Sequence, residues 1–365
     1  MLVYLILIVL IFALSPLRKI EILKKNGKKK LGNQIYLKLI IITFCVVMAV
    51  RGDTVGVDTA AYGRLFQKIL NASWVEAFGM VMAPVYVIFC KMIGIISKEP
   101  QILSIFSSIV INYGLYKYIK DQSSNYTISL FCWISLTLFF FSMNGNRQCM
   151  AMILSMNALK YLLNDIRSKK GWILYVLSVG THATALFLLP GIVITKFLKK
   201  GNNFDKILLP SIVACTISML LLPLVSIFTR YFSKYDMYVN GDNQYSIFNG
   251  TGNGRIIILY FFLLFICLIF YLNKNKNTEY SNKLLPILVF GMVFGILHYD
   301  TELISRIVLF YISLFITFIP TVILKFKGKD QILIVFLILI PLFIYCMISL
   351  LLNQNGIVPY VPFWK

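Results

Sequence analysis

Apolar stretches of roughly 14 to 22 residues recur along the whole chain, parted by short polar connectors, and this pattern limits the fold more than any motif does. Each stretch is about as long as a helix needs to be to enter or cross a hydrocarbon layer. In lipid, only helices and closed barrels satisfy every backbone polar group internally. Of the 365 residues, 59% are hydrophobic and 13% charged, and the mean hydropathy is +0.81, so no segment reads as a water-facing domain. The expected fold is all-α: a polytopic membrane protein with a single integral domain over residues 1–365.

Residues 2–14 have no basic residue before them and no small-residue cleavage site after them, and read as a first span rather than a removable signal. The seven cysteines are scattered and form no C-x-x-C pair, which argues against a disulfide framework and against zinc. No metal and no cofactor is expected. The net charge of +21 is divided among connectors rather than gathered on one face, which fits orientation in a bilayer and not nucleic-acid binding.

Lysine and arginine are retained on the cytoplasmic side of a bilayer. The connector at 16–34 holds Arg18, Lys19, Lys24, Lys25, Lys28, Lys29 and Lys30, which places the N-terminus outside. Basic connectors at 117–120, 167–170, 196–206, 274–283 and 325–329 should face inward too. Simple alternation cannot satisfy them all unless 84–97 and 171–198 are re-entrant or interfacial segments. About ten transmembrane helices then remain (2–15, 35–50, 101–119, 126–143, 147–163, 207–228, 256–272, 284–299, 306–324 and 332–352), with both termini outside. Residues 51–100 form an outer loop with the first re-entrant segment, 171–198 a re-entrant hairpin, and 229–254 a second outer loop. Irregular backbone is tolerated at membrane depth only against protein or a wet cavity, so a cavity is expected there.

The run RGDTVGVDTAAYGRLF brings Arg51, Asp53, Asp58, Tyr62 and Arg64 close together, with Gly52 and Gly56 favouring a tight turn. From Asp58 to Tyr62 is one helical turn, which sets a carboxylate and a phenol on one face. A solvated loop with incidental ion pairs is the plain alternative. Arg147, Arg255 and Arg306 each open a span at the outer side, and Arg230 closes one. Arginines at helix ends often only snorkel. Four on the side where orientation depletes positive charge favour binding an anion such as a diphosphate, which guanidinium groups grip bidentately. His182 would sit at the tip of the second hairpin, either as a satisfied core histidine or as a phosphate, hydroxyl or proton contact. His298, with Asp300 and Glu302, makes a weaker cluster. The loop at 229–254 is rich in Tyr, Asn and Gly, which suits sugar faces and hydroxyls and equally suits a plain lid. Phosphate-loop, dinucleotide, HExxH and GxSxG patterns are absent, so any substrate must bring its own activation.

The ordered segments RGDTVGVDTAAY, NRQCMAMILSMNALKYL, HATALFLLP, SRIVLFY and PYVPFW resemble the EpsG family of polysaccharide polymerases, relatives of the Wzy-type O-antigen and capsule polymerases. The resemblance places Arg51, Gly56, Asp58 and Tyr62 on the first motif and Arg147 and Gln148 on the second. His182 falls on the third, Arg306 and Tyr311 on the fourth, and Pro359 and Tyr360 on the last. It implies a glycosyltransferase, GT-C-like in architecture, that joins undecaprenyl-diphosphate-linked repeat units outside the bacterial cell membrane. Donor and acceptor glycans, the bilayer, a flippase and a chain-length regulator are the implied partners. Many relatives carry a glutamate where this chain reads Met82, Ala83, Pro84, Val85, Tyr86; Glu76 is the nearest substitute. On this reading Asp58, then Asp53, is the base, with His182 a further catalytic group. Arg51, Tyr62, Arg147, Gln148, Arg255, Arg306, Tyr311 and Tyr360 would hold the substrate. A lipid-linked oligosaccharide flippase, which should show internal repeats, and a membrane O-acyltransferase, which needs a catalytic histidine, are the rivals.

Overall fold

The computed structural model describes residues 1–19, 22–24, 27–29, 32–81, 83–198, 207–213, 216, 255–272, 279–296 and 302–365. Among these the chain is α-helical apart from one short antiparallel hairpin, β1 (Ile22–Lys24) with β2 (Gly27–Lys29). The helices are α1 (Leu2–Ala13), α2 (Gly32–Ala49), α3 (Thr59–Asn71), α4 (Trp74–Met80), α5 (Pro84–Gly94), α6 (Gln101–Gln122), α7 (Tyr126–Ser135), α8 (Leu138–Asn144) and α9 (Asn146–Leu162). They continue with α10 (Lys169–Thr181), a 3-10 helix (Ala183–Leu188), α11 (Leu189–Phe197), α12 (Arg255–Leu272), α13 (Glu279–Phe290), α14 (Met292–Ile296), α15 (Glu302–Ile312), α16 (Phe315–Leu324) and α17 (Gly328–Leu351).

Among the described residues, four segments are long and apolar enough to cross a membrane: Leu2–Lys19, α2, α6 and α17. The number is six if α7 with α8 and α15 with α16 each make one bent span. Ten spans were expected, a number the described residues do not reach: shorter apolar helices lie at Arg255–Ile269 and Asn282–Phe294, and most of 207–228 lies outside the described residues, as does the loop at 229–254. The α7/α8 pair bends by 52° at a break where Thr137 adopts a left-handed φ of 61°, a strained conformation for a β-branched residue. The α15/α16 pair bends by 41°.

Polar side chains fix which ends of these helices lie together. At one end, Gln101 donates to the Ala49 carbonyl at 2.6 Å, and Tyr4 Oη donates to the Ile357 carbonyl at 2.8 Å. This joins the starts of α1 and α6 to the end of α2 and to the C-terminal tail. At the other end, Arg18 donates to Asn33 Oδ1 (3.0 Å), Asn125 Oδ1 (2.8 Å) and Thr127 Oγ1 (2.9 Å), tying the α1–α2 connector to the start of α7. Lys160 pairs with Asp121 on this side, and Ser124 meets Thr321 one turn before Lys325. The basic connectors at 117–120 and 325–329 therefore share the Arg18 end.

Helix α10 runs antiparallel to α9. Ser178 donates to the Ala151 carbonyl at 2.6 Å and lies 2.6 Å from Ser155 Oγ, while Gly171 abuts Leu162. Small side chains allow this close approach, and their hydroxyls find partners within the pair. As a result α10 starts at the Arg18 end and delivers His182 to the level of Arg147. Helix α5 stays with α3 and α4: Lys91 Nζ donates to the Leu70 and Ala72 carbonyls at 3.3 and 2.5 Å and lies over the Trp74 ring.

Candidate functional site

The polar elements at the end opposite the lysine-rich connectors assemble around the loop that follows α2. This loop is zipped to the C-terminal tail. Gly52 N donates to Val361 O (2.8 Å), Phe363 N to Val50 O (2.9 Å), Gly56 N to Gly356 O (2.8 Å) and Tyr360 Oη to Val47 O (2.8 Å). Arg51 is sealed beneath the tail, only 1% exposed, and one of its Nη atoms donates to the Met48 carbonyl. Burial pulls its pKa down to about 10, against the opposing pull of the Tyr360 and Tyr4 phenols, and it stays charged at neutral pH. Its surroundings are thus the tail and α1.

On its other side the loop docks on the α8–α9 turn. Asn144 Oδ1 accepts the Asp58 backbone N–H at 2.8 Å, and Thr59 Oγ1 donates to the carbonyls of Val55 (2.7 Å) and Met143 (3.1 Å). Gly56 permits this with φ +98°. Asp58 occupies the N-cap position of α3, half-buried, without capping through its side chain.

One turn along α3, Tyr62 hydrogen-bonds Arg147. Burial raises the Tyr62 pKa above the usual phenol value. Arg147 and Arg306 pull it back down, and Asp58 adds to the rise, so all three charges lie within electrostatic reach of one hydroxyl. The Arg147 guanidinium also lies 5.6 Å from the centre of the Tyr86 ring. Gln148 Nε2 donates to the Arg306 carbonyl at 2.5 Å, which locks the start of α9 to α15.

His182 completes the group. Its Nδ1 lies 2.6 Å from Thr184 Oγ1 and accepts the Thr184 backbone N–H at 3.4 Å. In the neutral ring this places the proton on Nε2, leaving an N–H to offer to an anionic oxygen. Burial, then the fields of Arg147 and Arg306, push its pKa down to about 3 from the usual 6.5. The folded protein thus holds His182 neutral where the unfolded chain would protonate it. Stability should be fully present above about pH 6.5 and fall as the pH drops towards 3. Thermal unfolding followed between pH 4 and 8 should show this fall, and His182→Gln should flatten it.

Two cavities flank the group. One, of about 190 Å³, is lined by residues that include Asp53, Tyr62, Arg64, Gln67, Gln101 and Asn146. The other, of about 140 Å³, is lined by residues that include Thr137, Asn144, Ser305, Arg306, Tyr345 and Gln354. Arg255, exposed at the start of α12, immediately precedes Ile256, which lines the second cavity. Asn146 Oδ1, Arg147 Nε and Ser305 Oγ are buried here without a hydrogen-bond partner. Such groups are rare in folded proteins, and a ligand or water reaching these three would complete them.

Of the expected site residues, the structure brings Asp58, Tyr62, Arg147, Gln148, His182 and Arg306 together, with Asp53 exposed at the rim of the first cavity and Arg255 beside the second. Arg51 and Tyr360 belong to the tail zipper. Tyr311 is fully buried and donates to the Phe187 carbonyl at 2.5 Å, holding the 3-10 helix that follows His182. Glu76 is exposed and engaged in a capping box, accepting the Ser73 N–H at 2.8 Å while its own N–H donates to Ser73 Oγ. Arg230, His298 and Asp300 lie outside the described residues. Asn144, Asn146 and Ser305 were not anticipated; the Asn-Gly-Asn run before Arg147 is the sequence signal that marked their turn.

A helical bundle with strongly charged connectors at one end and a buried cationic pocket at the other defines a multi-pass membrane protein. The EpsG family profile matches residues 34–361, and the chain belongs to that family. No curated protein and no solved structure matches the chain.

Proposed function

We propose that the protein is a glycosyltransferase that polymerises polysaccharide from lipid-linked repeat units. The observation that carries this reading is the cluster of Arg147, Arg306, Tyr62 and neutral His182 at the end opposite the lysine-rich connectors. By the charge rule for membrane proteins, the Arg18 end is cytoplasmic and the cluster faces away from the cytosol. The reading keeps ten spans, with 84–97 and the α10–α11 hairpin as re-entrant segments, in the cell membrane of a bacterium.

In the proposed reaction the donor is a glycan on undecaprenyl diphosphate and the acceptor is the sugar hydroxyl of a second lipid-linked unit. The bond from the anomeric carbon to the diphosphate breaks, and a bond from that carbon to the acceptor oxygen forms. The hydroxyl proton passes to Asp58, with Asp53 the second candidate, and undecaprenyl diphosphate leaves with the electron pair. Charge on the leaving group grows in the transition state, where Arg147, Arg306 and the His182 Nε2–H are placed to stabilise it. A flippase and a chain-length regulator would be its partners.

The acyltransferase alternative requires His182 to act as a base. An imidazole whose pKa is pushed down to about 3 between two arginines is a weak one. The test is purified protein in proteoliposomes with a synthetic undecaprenyl-diphosphate repeat unit and no nucleotide sugar. Glycan ladders are expected. Translocation of the unit without ladders would instead make the protein a flippase.

A further inference from the structure

We infer that the Asn144–Arg147 turn divides the site into two subsites of different chemistry, one taking the donor's diphosphate and the other the acceptor's sugar, with Asn146 receiving an acceptor hydroxyl. The inference rests on the polymerase reading and goes beyond it by assigning each substrate to a cavity. Asn144 lines the Arg306 cavity, and Asn146, two residues on, lines the Asp53–Tyr62 cavity. Asn144 is fixed in place by the Asp58 N–H, so the partition is tied to the start of α3. Arg147, on the same turn, reaches Tyr62 and is felt by His182.

The two cavities differ in charge. Among the described residues the Arg306 cavity has a guanidinium, hydroxyls and amides in its wall and no carboxylate, and Arg255 precedes the lining residue Ile256. That set suits an anion. The other cavity sets the Asp53 carboxylate beside Arg64, with amides and a phenol. An anion there would meet Asp53, whereas sugar hydroxyls, which both donate and accept, can use every one of these groups. Each wall also holds a buried orphan: Asn146, 3% exposed, with a bare Oδ1, and Ser305, 6% exposed, with a bare Oγ. A sugar O–H donating to Asn146 Oδ1 and a phosphate oxygen accepting from Ser305 Oγ would satisfy both.

The experiment uses reconstituted full-length protein with two separable substrates. The donor is the undecaprenyl-diphosphate repeat unit. The acceptor is the same repeat unit on a short alkyl chain, which has no diphosphate and cannot donate. Asn146→Ala should raise KM for the alkyl acceptor about tenfold and leave KM for the donor within about twofold, a tenfold change being about 1.4 kcal/mol. Ser305→Ala should do the reverse. Removing an unpartnered buried oxygen should leave the unfolding midpoint of Asn146→Ala equal to or above that of the wild type. A lowered midpoint, an unchanged acceptor KM, or both KM values rising together in Asn146→Ala would overturn the assignment. Failure of the wild type to form any product would take down the polymerase reading as well, whereas wild-type product with an indifferent Asn146→Ala would sink the two subsites alone.

Discussion

Arg147→Ala should slow polymer formation by about a hundredfold to a thousandfold, the loss seen when one preorganised transition-state donor is removed, while the protein is made and inserted at normal levels. Among the described residues the Arg147 Nε has no partner, while its guanidinium hydrogen-bonds Tyr62 and lies over the face of Tyr86. Arg147→Lys should fall between, because an ammonium restores charge without the planar fork that grips two phosphate oxygens. Asp58→Asn should give the same loss by a different route: the amide cannot take the acceptor's proton, yet the backbone N–H that Asn144 holds is unchanged. The checks are glycan ladder length in cells and initial rate on the lipid-linked unit in proteoliposomes. Normal ladders in either variant would strike that residue from the mechanism.

The helical, membrane-embedded character of the chain was legible because hydropathy acts over whole segments. That the basic connectors gather at one end was legible in the spacing of charge along the chain: Arg18, Lys160 and Lys325 converge there. The convergence of Tyr62, Arg147, His182 and Arg306 was partly legible, since each lies near the outer end of an apolar segment. The division of labour among the arginines was not. Arg51 and Arg147 look alike in sequence, each within two residues of a glycine at a helix end. Only the tail zipper, which joins Gly52 to Val361 across the length of the chain, separates a sealed arginine from one that borders the cavities. The count of spans was also hidden, because Thr137 and the α15–α16 break split apolar runs that look continuous. Glu76 looked like a substitute acid; its partner Ser73, three residues earlier, already explained it as a cap.

Gly56→Ala should disable the site without touching any group that would meet substrate. At φ +98° an alanine carries a strain of about 1 to 3 kcal/mol before any clash is counted. Its Cβ would then lie 2.6 Å from the Met143 carbonyl oxygen and 2.7 Å from Thr59 Oγ1. Met143 O belongs to the backbone of α8 and accepts from Thr59, so neither neighbour can withdraw without opening the seam between the loop and the α8–α9 turn. That seam positions Asp58 against Asn144 and Tyr62 against Arg147, and the same turn carries Asn146. Shifts of even an ångström at reacting groups cost about a hundredfold in rate. The expected result is a lowered unfolding midpoint together with loss of polymer. Gly79→Ala serves as the control, since a Cβ there meets nothing within 4 Å and alanine suits the interior of α4 better than glycine does. If Gly56→Ala matched Gly79→Ala in midpoint and in ladder length, the loop would not be the element that sets the geometry of the site.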